Sequence, residues 1–368
     1  MRSLFFLFCL VISFSGIAQE WLTLYQKAQT SYANSQFETA YVEAGQALKK
    51  YQEEDGATND AYASILRVLA NVCFQQEKLE EGLGYAQKEI QIREGKKDLV
   101  LSAAFENSAQ FHQEMGEYQK AIEQLVRSKE VLLNFYSVDE NPIVECELNM
   151  AINHYLANNN NQALLLFKDA FSRLKSEKIE TLQSKYYFGL LNLEMGNAET
   201  ALTVFSETQK KYQDSSITET IDYALVMKGL AETRHQLKEY EKAEAAYQVS
   251  QVLFEKLEAV NDDEYLYLLN SRAINLEQLG KKELAESLFG IVAKHPEGRL
   301  PYAAALNNRA ALLQAKGEFE SAQKLYEESI SKLDKTKKNR ISFVRRDVAE
   351  FGFVTGRTKT VRKGHSAY

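Results

Sequence analysis

Small residues recur along this chain at one fixed offset. Ala28, Ala70, Ala109, Ala151, Gly189, Ala231, Ala273 and Ala310 are each followed, twelve residues on, by Ala40, Gly82, Ala121, Ala163, Ala201, Ala243, Ala285 and Ala322. Eight matches at one offset are hard to produce by chance, so the chain is an array of repeated units. The residue types say what the unit is. Two antiparallel helices that approach closely need Ala or Gly on both sides of the crossing, with a bulky neighbour filling the groove beside it. That neighbour stands four residues after the second small residue. It is Phe167, Phe205, Tyr247, Phe289 and Tyr326 in the last five units, and Ala44, Ala86 and Leu125 in the first three. Gly116, Gly196, Gly280 and Gly317 fall just past the first helix of their units, where a left-handed residue ends a helix. Asn158 to Asn161 makes the same turn in the fourth unit, since Asn tolerates that conformation.

Composition fits a helical array. The 368 residues include only three prolines, and Leu, Ala, Glu, Lys and Gln, which lose little freedom in a helix, are plentiful. A single core of this length would be expected to split into domains; an array escapes that limit because each unit packs only on its neighbours.

Three segments show the unit most clearly: AFENSAQFHQEMGEYQKAIEQLVRS from Ala104, LLNSRAINLEQLGKKELAESLFGIV from Leu268 and ALNNRAALLQAKGEFESAQKLYEES from Ala305. They resemble the tetratricopeptide signature W-x₂-L-G-x₂-Y…A-x₃-F. The resemblance covers roughly Glu20 to Leu333 and implies an all-α fold, a right-handed superhelical solenoid of about eight helix–turn–helix units. Successive second-helix small residues are 42, 39, 42, 38, 42, 42 and 37 residues apart, against about 34 in the common repeat. The longer period, with the run Leu306-Asn307-Asn308-Arg309-Ala310, is similar to the repeats of kinesin light chains and their bacterial relatives.

The two ends read differently. Arg2, an apolar run from Leu4 to Phe14 and the small residues Gly16-Ile17-Ala18 outline a secretory signal peptide over residues 1–18. Eleven residues are too few to span a bilayer, which takes about 20. The expected location is therefore the periplasm or outside the cell, with the repeats filling 19–333 and no membrane-crossing segment after the signal. Residues 334–368 form a basic tail. From Lys332 onward eleven Lys and Arg face three Asp and Glu, while the whole chain carries −7. Val348-Ala349-Glu350, Gly356 and Val361 keep the repeat spacing, so the tail reads as a decayed or truncated ninth repeat, and it is a candidate contact for an anionic surface. The acidic balance elsewhere excludes nucleic-acid binding by electrostatics.

No nucleophile elbow, zinc-protease helix or phosphate-binding loop occurs, and the acidic residues are scattered along helix faces, so no catalysis and no cofactor are expected. Cys73, His112 and His154 share one slot, three after the small residue, in successive units. A metal needs all its ligands about 2.0–2.3 Å from one ion, and adjacent units stand about 8–10 Å apart, so core packing is expected there. Cys73 and Cys146 lie two units apart, too far for a bridge, and read as free thiols.

The resemblance places ligands on the concave surface lined by first helices. Residues beside the small position but off the packing stripe are the expected groove: Tyr25, Arg67, Asn71, Asn107, Asn149, Tyr155, Tyr186, Lys228, Asn270, Asn307 and Asn308, with Gln29, Glu106, Tyr187 and Glu232 among their neighbours. Asn107, Asn149 and Asn308 share the slot two residues before the small Ala, and an amide can both donate to and accept from a peptide backbone. The functional expectation is an exported protein–protein interaction scaffold that holds a peptide or protein partner in this groove. The alternative is the sensing half of a truncated repeat-plus-protease or repeat-plus-signalling protein, and a third reading is a spacer without a ligand.

Overall fold

The computed structural model describes residues 20–54, 56–96, 98–175, 181–294 and 300–336. The signal-like segment and the tail proper lie outside them, as do all the ninth-repeat positions named above. Among the described residues there are sixteen α-helices and no strand. In chain order they are α1 Glu20–Ala33, α2 Phe37–Glu54, α3 Asp60–Gln75, α4 Leu79–Arg93, α5 Leu99–Glu114, α6 Tyr118–Leu132, α7 Asn141–Leu156, α8 Asn160–Arg173, α9 Leu182–Glu194, α10 Ala198–Asp214, α11 Ile221–Gln236, α12 Tyr240–Lys256, α13 Asp263–Gln278, α14 Lys282–Val292, α15 Leu300–Ala315 and α16 Phe319–Thr336. Two compact units divide between Leu237 and Lys238. In the first, α1 pairs with α2, α3 with α4, α5 with α6, α7 with α8 and α9 with α10, and α11 packs on α10. In the second, α12 packs on α13, and α13–α14 and α15–α16 are pairs.

The repeat register holds at every position. All sixteen small residues are buried, and Ala28, Ala40, Ala70, Ala151, Ala163, Ala201, Ala273 and Ala285 are wholly inaccessible. The bulky neighbours Phe167, Phe205, Tyr247 and Phe289 are buried with them. The core runs from unit to unit: one cluster joins Ala28, Ala40, Ala44 and Tyr51 to Ile65, Leu69 and Val72 of the next first helix, another joins Ala151, Ala163 and Phe167 to Leu191. This is the quasi-one-dimensional packing of a solenoid, in which each helix pair buries its face on its neighbours.

Each turn inside a pair is built alike. The residue seven after the first small position is left-handed in all eight: Ser35, Glu77, Gly116, Asn158, Gly196, Lys238, Gly280 and Gly317. The next N–H donates back to the carbonyl of the slot three after the small residue, as from Lys78 to Cys73 at 2.9 Å, Glu117 to His112 at 2.7 Å and Asn159 to His154 at 2.8 Å. This is a helix-ending bond that consumes an orphan carbonyl. The Cys73/His112/His154 slot is thus part of the turn. Cys73 and His112 are buried, and His112 Nδ1 lies 2.7 Å from the Glu117 carboxylate. Four first helices start on side-chain caps, Asn59 for α3, Asp98 for α5, Thr220 for α11 and Asp262 for α13. Cys73 and Cys146 are free and buried.

Candidate functional site

The first helices of the first unit stand side by side. α1 touches α3, α7 touches α9, and α9 touches α11. Polar bonds join the others: the Asn107 amide on α5 donates to the Asn71 carbonyl oxygen on α3 at 3.2 Å, and the Asn153 amide on α7 donates to Gln113 on α5 at 3.0 Å. In the second unit the Asn308 amide on α15 donates to Asn270 on α13 at 3.1 Å.

These bonds correct part of the expected groove. Asn107, Tyr155, Tyr186, Lys228 and Asn270, expected to face outward, are all buried. Asn107 and Asn270 are used between neighbouring first helices. Tyr155 packs on the Tyr187 ring and donates its hydroxyl to Glu194 at 2.5 Å. Tyr186 packs on Phe205. Lys228 reaches Glu232 at 3.2 Å. For Asn107, Tyr155 and Asn270 the physical reason is that a first helix packs on neighbouring first helices as well as on its own partner, so the buried stripe is wider than one pair requires; Tyr186 is covered by Phe205 of its own partner helix. Asn149 is exposed, and Tyr25, Gln29, Arg67, Asn71, Tyr187, Glu232, Asn307 and Asn308 are half-buried. Gln29 donates to the Tyr25 hydroxyl at 2.9 Å.

Glu106 is also half-buried on α5, where it accepts from Ser128 Oγ at 2.8 Å. Burial pushes its carboxyl above the ordinary carboxylate range, the nearby Glu145 charge adds to the rise, and the Ser128 bond opposes it.

The most heavily built part of this face was not visible from the first helices alone. Seven residues after the second small position the chain has Ala47, Ser128, Ala170, Thr208, Ser250, Val292 and Ser329, all buried; in the second repeat it has Glu89, with 0% of its surface exposed. Glu89 Oε1 lies 2.6 Å from Arg67 Nη2 and accepts from Arg93 Nε at 2.9 Å. Arg93 also reaches Asp60 at 3.3 Å and Ser64 Oγ at 3.2 Å, and Lys96 reaches Asp60 at 2.5 Å. Arg67 Nη2 donates to the Val100 carbonyl at the start of α5, at 2.9 Å. The signal in the sequence was a charged residue in a slot that otherwise holds small or apolar residues.

Among the described residues no group of three His, Cys, Asp or Glu is placed to hold a metal ion, and no helix is long and apolar enough to cross a membrane.

No protein-family model matches the chain, and no curated protein matches it. Solved structures do. The chain is similar to the apo form of the quorum sensor NprR from B. thuringiensis, with a TM-score of 0.69 at 12% identity over 85% of this chain and 87% of that one. It is similar to the Rap conjugation gene regulator of the plasmid pLS20 in complex with the Phr* peptide, at 0.57 and 10% over 88% and 97%. It is also similar to a signal transduction ATPase with numerous domains and a tetratricopeptide repeat sensor from Pyrococcus horikoshii, at 0.58 and 17% over 86% of this chain and 48% of that one. The fold is that of a tetratricopeptide-type helical repeat. At these identities the likeness fixes the tetratricopeptide architecture and leaves the ligand to the site itself.

Proposed function

We propose that this protein is an exported interaction scaffold that holds an extended peptide segment of a partner against its first helices, without catalysis of its own. The observation that carries the reading is the row of neighbouring first helices with amide and phenol groups left accessible on it: Tyr25, Gln29, Asn71, Asn149 and Tyr187 in the first unit. Amides satisfy a peptide backbone whatever its side chains, and tyrosine adds rigid contact area at low entropy cost. That one structural neighbour carries a bound peptide supports the same use of the fold. Export is supported by the signal-like residues 1–18, and N-terminal sequencing of the protein recovered from cell fractions tests it.

The binding test uses a peptide array probed with the whole chain. Asn149→Ala is expected to weaken bound peptides by about 0.5–3 kcal/mol while the melting temperature stays put, because Asn149 is exposed. If joint replacement of Gln29, Asn71, Asn149 and Tyr187 by Ala leaves the array pattern unchanged, the groove reading falls.

The sensing-module alternative has one observation in its favour: in the archaeal neighbour the matched region is 48% of the chain, so there the repeats belong to a larger signalling protein. A protease or kinase encoded directly downstream of this gene would support it.

A further inference from the structure

The junction of α12 with α13 and that of α14 with α15 start from the same two residue types. At the first, Arg272 stands one residue before the small Ala273, and Glu244 one residue after the small Ala243. Glu244 Oε1 accepts from Arg272 Nη2 at 2.6 Å and from its Nε at 3.0 Å, while Gln251 Oε1 accepts from Nη1 at 2.5 Å. Gln248 closes the group by donating to the same Glu244 oxygen at 2.9 Å. The guanidinium therefore has a carboxylate and an amide carbonyl, and 13% of the Arg272 side chain is accessible.

One repeat later the same slots hold Arg309 and Glu286, and no earlier junction pairs Arg with Glu there. Three exchanges change the surroundings. The slot of Leu279 holds Lys316, whose ammonium takes the Glu286 carboxylate at 2.6 Å. The slot of Gln251 holds Ala293, and that of Gln248 holds Gly290. A methyl group added to Gly290 would meet nothing within 4 Å. The result is a cavity of about 500 Å³ between Arg309 on α15 and Glu286, Gly290, Ile291 and Ala293 on the α14 side. That volume suits a small ligand. Arg309 Nε is buried with no hydrogen-bond partner, and a buried donor costs stability until an acceptor reaches it. Of the remaining charges on the wall, Glu283 and Lys294 are one of each sign, and Glu286 is spent on Lys316, so the unbalanced charge is that of Arg309.

We propose that this cavity binds a small organic acid with a second oxygen beside its carboxylate, the chemistry of 2-oxo and 2-hydroxy acids, and that Arg309 seats it. Such a molecule brings the two kinds of acceptor that Glu244 and Gln251 give to Arg272, a carboxylate for the guanidinium fork and a neutral oxygen for the remaining N–H. The glutamates on the wall disfavour a doubly charged anion such as phosphate. Ile291, 40% exposed, offers an apolar surface to the body of the acid. The lining comes mostly from α14, a second helix, so the site stands apart from the first-helix face and does not depend on a peptide bound there.

The test is isothermal titration calorimetry on the full chain. The probes share one branched carbon body: 4-methyl-2-oxopentanoate, 2-hydroxy-4-methylpentanoate, 4-methylpentanoate and 4-methylpentanamide, with inorganic phosphate beside them. The oxo acid, the hydroxy acid or both are expected to bind at least tenfold more tightly than the amide and phosphate, with the plain acid between; the tighter of the two names the class. Arg309→Ala should remove the binding and leave the melting temperature of the unligated chain close to the parent, because the guanidinium has no partner to lose. Lys316→Leu combined with Ala293→Gln rebuilds the α12–α13 arrangement. It should raise the melting temperature and weaken the acids at least tenfold, since Glu286 and the new Gln then serve Arg309. The site is overturned if the amide or phosphate binds as tightly as the acids, if no acid binds at millimolar concentration, or if Arg309→Ala keeps the parent affinity. Should the double variant fail to fold, Arg309→Ala alone decides.

Discussion

The ring of Phe205 rests on Gly189 so closely that a methyl group added to that glycine would lie 2.6 Å from a ring carbon. The same ring presses on Gly229 of the next first helix, where an added methyl would lie 2.5 Å away. Alanine is the usual residue in the Gly189 slot, yet here it would clash, because the two glycines give one phenyl ring its space. Gly189→Ala should therefore destabilise the chain by about 1–3 kcal/mol, the common range for overpacking. Denaturant unfolding reads this, and Phe205→Leu in the same background should recover part of the loss. An unchanged unfolding midpoint in Gly189→Ala would show that the contact is looser than described.

The left-handed turn position gives a second prediction with the opposite sign. Glu77 and Lys238 occupy it at φ 57° and 62°, where four of the other repeats have glycine. A left-handed residue with a side chain costs about 1–2 kcal/mol, and the extra freedom glycine has when unfolded takes back part of that. Glu77→Gly and Lys238→Gly should each raise stability by up to about 1 kcal/mol, seen as a higher denaturant midpoint with the slope unchanged. A lower midpoint in both would contradict it.

Glu106 supplies a prediction in pH. Its folded-state carboxyl titrates above the ordinary range because it is buried near Glu145. A group raised in the folded state adds stability below its unfolded value and loses that as pH rises through the folded one, so the ionised form at neutral pH opposes folding. Glu106→Gln keeps a group that can accept from Ser128 and removes the charge. It should raise the melting temperature at pH 7, and its advantage over the parent should shrink as pH falls toward the ordinary carboxylate range. An advantage that grows on acidification would reverse the assignment.

The cysteines test burial directly. Burial pushes the Cys73 and Cys146 thiols up to about 12, so neither holds appreciable thiolate at neutral pH. Iodoacetamide at pH 8 should leave the native chain unlabelled by mass. In urea it should add two groups if the signal-like segment has been removed, and three if Cys9 is still present. Rapid labelling of the native chain would place these thiols at the surface.

How much of this was legible beforehand depends on the kind of contact. The offset of twelve between small residues, the bulky residue four further on and the glycines at the turn all follow from packing within one helix pair, and pairs of this kind are local in sequence. The fold could therefore be read directly, and so could the places of Cys73 and His112. Three left-handed turn residues, Ser35, Glu77 and Lys238, were missed because nothing in their chemistry favours that conformation; the surrounding helices impose it.

The face was read less well, and for a physical reason. Periodicity tells which side of a helix meets its own partner, but Asn107, Tyr155 and Asn270 are engaged by residues of a neighbouring repeat, Asn71, Glu194 and Asn308, which lie 36, 39 and 38 residues away in the chain. The sequence by itself determined the repeat, its register and the helix pairing, since these depend on residues a few turns apart. Only the tertiary structure decided which first-helix side chains stay accessible, and that Arg67 is held by a carboxylate on a different helix. Burial and charge pairing are set by neighbours brought together in space, and no spacing along the chain records them.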